Sequence, residues 1–326
     1  MVDRDAMQSA IAGLAGNLRE GDVIGRAVGA TMPMPEAVVI TGMGGSAMGG
    51  ELLRSLIAGL CPVPITRVRG FGIPRWAGEK TLVVCVSYSG NTAETLSCAQ
   101  RAHAQNADLL AVGAGGRLGE LASEWGAPFA RVPDGMQPRA ALGYLFGATA
   151  GAFAACGLAP DDVAAEAATG VEQVDLEAAR SLGERLAPTV PLIYGSGPMA
   201  AVAYRWKTQL NENAKMHAFS HAFPELDHNE IVGWAGAPRD LFSAVVLRDE
   251  SEGPEMRKMI DATCDLIGAD AALVEQVRGA GGSASARAFS MVAHGDWVSY
   301  HAALARGEDP MPVERIGELK RRVAGP

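Results

Sequence analysis

The sequence has little concentrated positive charge and few aromatic side chains. Its 326 residues include 28 Lys and Arg against 37 Asp and Glu, a net charge of -9, and aromatic residues make up 6% of the chain. The longest basic run is the triplet Lys320-Arg321-Arg322. Nucleic-acid binding needs clustered cations for the phosphate backbone, or aromatic rings on which single-stranded bases stack. The composition therefore argues against a nucleic-acid partner.

Cysteine is scarce and lacks the spacing of a disulfide or zinc framework. The five cysteines lie far apart and form no CxxC pair: Cys61, Cys85, Cys98, Cys156 and Cys264. An odd, unpaired set favours reduced thiols in a cytoplasmic protein. The first residues, MVDRDAM, include acidic side chains and do not read as a signal peptide.

Long apolar runs are also rare. One stretch, residues 140–160, is uncharged over 21 residues, which is close to the length that spans a bilayer. It is rich in Ala and Gly, and Arg139 and Asp161 flank it closely. We therefore expect a helix buried at a domain or subunit interface rather than a membrane span.

Short β-branched segments alternate with helical patterns along the chain. This order is typical of parallel sheets covered by helices on both faces. We predict an α/β protein with two doubly wound, flavodoxin-like domains. Residues 1–160 hold N-terminal helices and the first domain; residues 161–326 hold connecting helices, the second domain and a C-terminal helix. Ligands of such sheets bind beyond the carboxyl ends of the strands, in the turns.

The turn after the first strand reads GMGGSAMGG and leads into a helix. Backbone N–H groups around Gly44 and Gly45 suit a phosphate, and Ser46 adds a hydroxyl donor. A dinucleotide fold would need an acidic residue about 20 residues later, where Arg67 and Arg69 stand. A nucleotide P-loop would need a Lys, which is missing. A tight turn without a ligand is the other interpretation of this motif.

A second turn, SYSGNTAET, concentrates hydroxyl groups. Ser87, Ser89 and Thr92 fall within one loop that opens a helix. Several hydroxyls and backbone amides can surround a phosphate monoester without a cation. Any one of these hydroxyls could belong to an ordinary helix cap, and Thr92 stands where a capping residue is expected. Three together at one strand end favour phosphate binding.

Both turns resemble the sugar-phosphate-binding turns of the SIS (sugar isomerase) superfamily. The stretch NENAKMHAFSHAFPELDHNEIVGW resembles one branch, the bifunctional phosphoglucose/phosphomannose isomerases. The resemblance runs from about residue 35 to the C-terminal helix. It implies two SIS domains, a homodimer, and no metal or cofactor. It also implies interconversion of glucose 6-phosphate or mannose 6-phosphate with fructose 6-phosphate through an enediolate.

This isomerisation needs a phosphate clamp, a ring-opening group, a base between C1 and C2, and a cation beside the enediolate. By resemblance, Glu212 is the base, and His228 opens the ring by reaching into the partner subunit's site. Arg139 matches the arginine beside the enediolate. Lys320 matches a C-terminal lysine near the ring oxygen, which would bring the C-terminal helix back onto the site.

The residues alone leave other roles open for these four side chains. Glu212 lies off its helix's stripe of large residues and could face solvent or a cleft. His228 could be a loop residue beside an Asp. Arg139 could mark the end of the apolar helix, and Lys320 could be an ordinary last-turn residue.

Other functions compete with the isomerase. A zinc site could use His217 and His221, but the glutamate of an HExxH motif is missing. A non-catalytic sugar-phosphate sensor would keep the serine turns and could lose Glu212 and His228, which this chain retains. An isomerase of a modified sugar phosphate would need the same residues. A dinucleotide oxidoreductase is disfavoured by the missing acidic residue.

Overall fold

The first half of the chain folds around a five-stranded parallel sheet, in a computed structural model that describes residues 4–324. Its helices are α1 (Arg4–Ala12), α2 (Leu14–Gly29), α3 (Gly44–Ile57), α4 (Ala93–Ala104), α5 (Gly116–Trp125) and α6 (Leu142–Ala155). Its strands are β1 (Ala37–Gly42), β2 (Ile65–Val68), β3 (Thr81–Val86), β4 (Asp108–Gly113) and β5 (Phe129–Arg131). The strand order β2-β1-β3-β4-β5 is that of a doubly wound, flavodoxin-like sheet.

The second half repeats this design with a four-stranded parallel sheet in the order β7-β6-β8-β9. Its strands are β6 (Val190–Gly195), β7 (Phe219–Ala222), β8 (Phe242–Arg248) and β9 (Leu273–Arg278). Its helices are α7 (Val163–Val171), α8 (Leu176–Leu186), α9 (Pro198–Asn213), α10 (Ile231–Trp234), α11 (Pro254–Ile267), α12 (Ala284–Ala305) and α13 (Glu314–Ala324), with a 3₁₀ turn at Glu225–His228. The two-sheet α/β prediction is confirmed.

The strands that the sequence pattern marks clearly are the buried ones. In β3, TLVVCV, all six positions are buried, as a parallel strand with covered faces requires. Four strands lack such a run: β2, β5, β7 and β9. Each lies at the edge of its sheet and is only partly buried, so its sequence carries more polar residues.

The apolar stretch after Arg139 becomes α6, which is buried against α2 and α3. Small residues bring these backbones together. A Cβ on Gly25 of α2 would lie 2.0 Å from the carbonyl oxygen of Ala148, and a Cβ on Gly147 would lie 2.3 Å from that of Leu18. Within residues 4–324, no helix has both the length and the apolar character needed to cross a membrane.

Helices α3 and α9 pack together where the two halves meet. The N-terminal end of α3 approaches the C-terminal end of α9 through Arg139, which contacts both. At the other end of the pair, the second half of α3 and the first half of α9 line one cavity. The two helices therefore run in opposite directions. One end of the pair lies at Arg139, and the other end lies at this cavity.

Candidate active site

The Gly-rich turn places the N-terminus of α3 directly against Arg139. Gly44 adopts a φ of 52°, in the left-handed region that glycine enters without strain. A Cβ on Gly45 would lie 2.8 Å from Cα of Arg139, so a side chain there would push the two backbones apart. Ser46 is buried, and its Oγ accepts a hydrogen bond from the backbone N–H of Tyr88 at 3.0 Å. The first turn is thereby joined to the second.

In the second turn, the hydroxyls bond to one another rather than cap the helix. Ser87 Oγ and Thr92 Oγ1 are 2.9 Å apart. Thr92 is the residue that precedes α4, but its side chain makes no hydrogen bond to the backbone of the first turn. Ser89 is exposed, and its Oγ accepts from the N–H of Asn91 at 3.2 Å. The N-terminal amides of α4 are thus left free of a side-chain cap, which favours an anion there.

Tyr88, which the sequence analysis did not single out, connects this turn to the loop that carries Arg139. Its hydroxyl donates to the carbonyl of Pro133 at 3.0 Å and accepts from the N–H of Met136 at 2.9 Å. The ring is buried. In the sequence, the sign of this role is the position of Tyr88 between two candidate serines, Ser87 and Ser89.

Arg139 is a buried side chain with a full set of partners, and not a surface charge at the end of α6. It is 2% exposed. Its Nε donates to Oδ1 of Asn213 at 2.7 Å, and its Nη2 donates to the carbonyls of Pro310 (2.6 Å) and Met311 (3.0 Å). Its Nη1 lies 3.6 Å from Oε2 of Glu212. Burial lowers the pKa of Arg139, and the Glu212 carboxylate opposes that shift.

Glu212 faces a cavity near the C-terminal end of α9. The stripe of large residues on this helix is buried, at Met199, Ala203, Trp206 and Leu210, and Glu212 lies off it. Its side chain is 24% exposed and lines a cavity of about 710 Å³. That volume falls within the range of about 300–1,000 Å³ found for small-molecule sites. The cavity also includes Asp309 and the first turn of α13.

Lys215 also lines this cavity, and the sequence analysis did not single it out. It adopts a φ of 51°, just beyond the end of α9. Its Nζ donates to the carbonyls of Glu212 (2.9 Å), Asn213 (3.3 Å) and Asp309 (2.5 Å). A lysine in this place caps the helix C-terminus and ties it to the chain before α13. Burial and the nearby Arg139 lower the pKa of Lys215.

Within one chain, His228 does not line the cavity that Glu212 faces. It ends the 3₁₀ turn and is exposed, and its side chain makes no hydrogen bond or ion pair with any residue of the described range 4–324. The segment that carries it is well anchored. Glu230 accepts from the Tyr194 hydroxyl at 2.6 Å and lies 2.8 Å from Nδ1 of His221.

Lys320 does not line the cavity either. Residues Glu314, Arg315 and Ile316 of α13 do so, but Lys320 lies further along the helix and is exposed. It forms no ion pair with another residue between 4 and 324. Its role beside the ring oxygen stays a prediction.

The histidines that could suggest zinc have other contacts. His221 pairs with Glu230, and the ring of His217 stacks on Phe219 with centroids 6.4 Å apart. In the described part of the chain, no group of three or more His, Cys, Asp or Glu side chains is arranged to hold a metal ion.

The second half has carboxylates where the first half has hydroxyls. After β8, Asp249 pairs with Arg287 at 2.7 Å, and Glu252 pairs with Arg248 at 2.9 Å. All four side chains are buried. A phosphate at this turn would meet carboxylates, so we expect the phosphate clamp in the first half.

Comparisons with known proteins show the family to which the chain belongs. A family model described as the bacterial phospho-glucose isomerase C-terminal SIS domain matches residues 176–323. The chain is 39% identical over 305 residues to the bifunctional phosphoglucose/phosphomannose isomerase of Caldicellulosiruptor bescii, covering 89% of this chain and 90% of that one. The chain belongs to the bifunctional phosphoglucose/phosphomannose isomerase family. A second member, from Thermoplasma acidophilum, is 36% identical and aligns over 88% of this chain and 89% of its own length.

A solved structure shows the same fold outside this isomerase family. It is the C-terminal domain of glucosamine-fructose-6-phosphate aminotransferase from Francisella tularensis, with a TM-score of 0.71 over 94% of this chain and 97% of that one. Its sequence identity is 16%, so the likeness concerns the fold alone. The resemblance to phosphoglucose/phosphomannose isomerases is confirmed over both halves of the chain by the full-length relatives.

Proposed function

We propose that the protein is an aldose–ketose isomerase that interconverts glucose 6-phosphate or mannose 6-phosphate with fructose 6-phosphate. The observation that carries this proposal is the Glu212–Arg139 pair. A carboxylate on a cavity wall lies 3.6 Å from a buried guanidinium, whose own backbone abuts the Gly-rich turn. A sensor that only bound the sugar phosphate would need the clamp but not this pair.

The clamp is formed by two helix N-termini and four hydroxyl groups. The hydroxyls are those of Ser46, Ser87, Ser89 and Thr92, at the ends of β1 and β3, and the backbone at Gly44 and Gly45 approaches from the same side. Helix N-termini and hydroxyl donors together hold an anion in place. The bound phosphate directs the sugar chain toward Arg139.

Glu212 then acts as the base of the reaction. Its carboxylate takes the proton from C2 of the open-chain aldose, which leaves an enediolate with its negative charge on O1. The hydroxyl proton of O2 passes to O1, and Glu212 returns its proton to C1, so that C2 becomes the carbonyl of the ketose. Arg139 stabilises the negative charge on the enediolate oxygens. Its guanidinium is already held by the Asn213 side chain and two carbonyls, so little reorganisation is needed when that charge forms.

Solvent exchange tests this function directly. We expect purified protein supplied with fructose 6-phosphate in D₂O to produce an aldose 6-phosphate that carries deuterium at C2, detected by loss of the H2 proton resonance. Glucose, mannose and glucosamine 6-phosphates assayed side by side identify the preferred sugar. Binding of fructose 6-phosphate without deuterium incorporation would instead identify a sensor.

We also propose a homodimer in which His228 enters the partner subunit's site and opens the sugar ring. His228 is exposed on a segment that Glu230 anchors firmly to Tyr194. Helix α13, which borders the cavity, has an uncovered apolar stripe at Ile316, Leu319 and Val323. A second copy would cover such a stripe. The five unpaired cysteines agree with a cytoplasmic dimer.

Mixing two inactive variants tests the shared site. Glu212→Gln and His228→Ala should each be nearly inactive alone on the cyclic sugar. After unfolding and refolding together, each heterodimer has one complete site, so we expect about a quarter of the wild-type activity, given random pairing. Each variant refolded alone is the control. No recovery in the mixture, although heterodimers are present, would place His228 outside the partner's site.

A further inference from the structure

A second cavity lies at the other end of the α3–α9 pair. It has a volume of about 350 Å³ and is lined by the later part of α3, the end of β2, the start of α9 and the end of β7. Pro198 and Glu212 are at opposite ends of α9, about 21 Å apart along the helix axis at 1.5 Å per residue. This cavity is therefore separate from the one that Glu212 lines.

Positive charge is concentrated on this cavity. Arg54, Arg67 and Arg69 line it together with a single carboxylate, that of Glu51. Glu51 pairs with both Arg54 (2.8 Å) and Arg67 (2.7 Å), and these arginines lower its pKa against the effect of burial. One carboxylate thus faces two guanidinium groups. The Nε of Arg54 is also buried without a hydrogen-bond partner in the described chain, so Glu51 does not use all of its donors.

A further cation, Lys207, lies beside the cavity and shares the ring of Tyr204 with Arg69. The guanidinium of Arg69 lies 4.7 Å from the ring centroid, and Nζ of Lys207 lies 5.7 Å from it. Neither forms an ion pair with a carboxylate in the part of the chain that the structure describes. This local excess of cations stands out in a protein whose net charge is -9.

The position of this cavity mirrors that of the candidate active site. At the candidate active site, Arg139 joins the start of α3 to the end of α9, and the second cavity lies where the start of α9 meets the later part of α3. The turn after β8 carries the buried carboxylates of Asp249 and Glu252, each paired with an arginine, where the first half has its pair of hydroxyls. Arginines from the first half supply the positive charge instead.

We propose that this cavity, the arginine groove (Arg54, Arg67, Arg69 and Tyr204, with Lys207 beside the Tyr204 ring), binds a small phosphorylated metabolite. Guanidinium groups bind phosphate oxygens in pairs of parallel hydrogen bonds, and the surplus of cations matches a phosphate dianion. The N-terminus of the 16-residue helix α9 at Gly197 borders the groove and adds to the positive potential. The site does not depend on the proposed isomerase activity.

Counting bound phosphate tests the groove, with inorganic phosphate as the probe in equilibrium dialysis. We expect wild-type protein to bind two phosphates per chain, one in the clamp and one in the groove. The double variant Arg69→Gln, Lys207→Gln should still bind phosphate at the clamp. Its affinity for phosphate at the groove should fall about tenfold or more. The variant Ser89→Ala, Thr92→Val should lose phosphate binding at the clamp and keep it at the groove.

A matched control is Arg257→Gln, Lys258→Gln, which removes two exposed cations from α11, outside the groove. It should keep both phosphates, and circular dichroism checks that each variant is folded. One phosphate per wild-type chain, lost in the clamp variant, would overturn the proposal. Two phosphates still bound per chain in the Arg69→Gln, Lys207→Gln variant would also overturn it. A missing isomerase activity would leave this count unchanged.

Discussion

Replacing Glu212 by Gln is expected to abolish isomerisation while sugar-phosphate binding survives. The amide has nearly the same shape as the carboxylate and leaves the hydrogen bonds of Arg139 to Asn213, Pro310 and Met311 in place, but it cannot take the C2 proton. General-base catalysis contributes about 10²- to 10⁴-fold, so we expect kcat to fall by about 10³-fold or more. The phosphate clamp lies in the other half of the chain and is unaffected, so the Kd should change little.

Turnover and binding are measured separately for this variant. A coupled assay gives kcat, and calorimetric titration with fructose 6-phosphate gives Kd. The matched control is Glu308→Gln, which removes a carboxylate from the wall of the same cavity without touching Arg139. It should stay within about tenfold of wild type, since only a group at the reacting atoms is a base. Near-normal turnover of Glu212→Gln would remove Glu212 as the base.

Replacing Arg139 by Met is expected to reduce both activity and stability. The enediolate loses its cation, which should lower kcat by about 10²- to 10³-fold. Asn213 and the carbonyls of Pro310 and Met311 lose a buried donor, and Glu212 loses its counter-charge. Buried polar groups left without a hydrogen-bond or charge partner should lower the free energy of unfolding by about 3 kcal/mol.

Two further variants separate the two effects of Arg139. Arg139→Lys keeps the charge but lacks the planar fork, so it should recover part of the stability and little activity. Arg306→Met is the matched control, because Arg306 also donates to buried carbonyls, those of Ala214 and Ala187, but forms no hydrogen bond or ion pair with the Glu212 side chain among the described residues. It should lose stability in urea denaturation yet keep kcat. If Arg139→Met were destabilised to the same degree but fully active, Arg139 would be structural only.

The sequence alone suffices to propose the two turns as a phosphate site, because the residues concerned are close together in the chain. Ser87, Ser89 and Thr92 lie within six consecutive residues at the end of one strand, and strand order alone brings that turn beside the Gly-rich turn. The edge strands β2, β5, β7 and β9 were not found from the sequence. A partly exposed edge strand needs no continuous apolar run, so its pattern is weak.

The sequence by itself determined the α/β class, the repeated strand–turn–helix order and the family, because these depend on residues that are neighbours in the chain. Only the tertiary structure decided that Arg139 is buried, that it reaches Glu212 and Asn213, and that Lys215 binds the carbonyl of Asp309. These contacts join segments about 70 to 90 residues or more apart. The Arg139 contacts form where α3 and α9 pack together from opposite halves, and hydrophobic packing between residues so far apart in the chain produces no local sequence pattern.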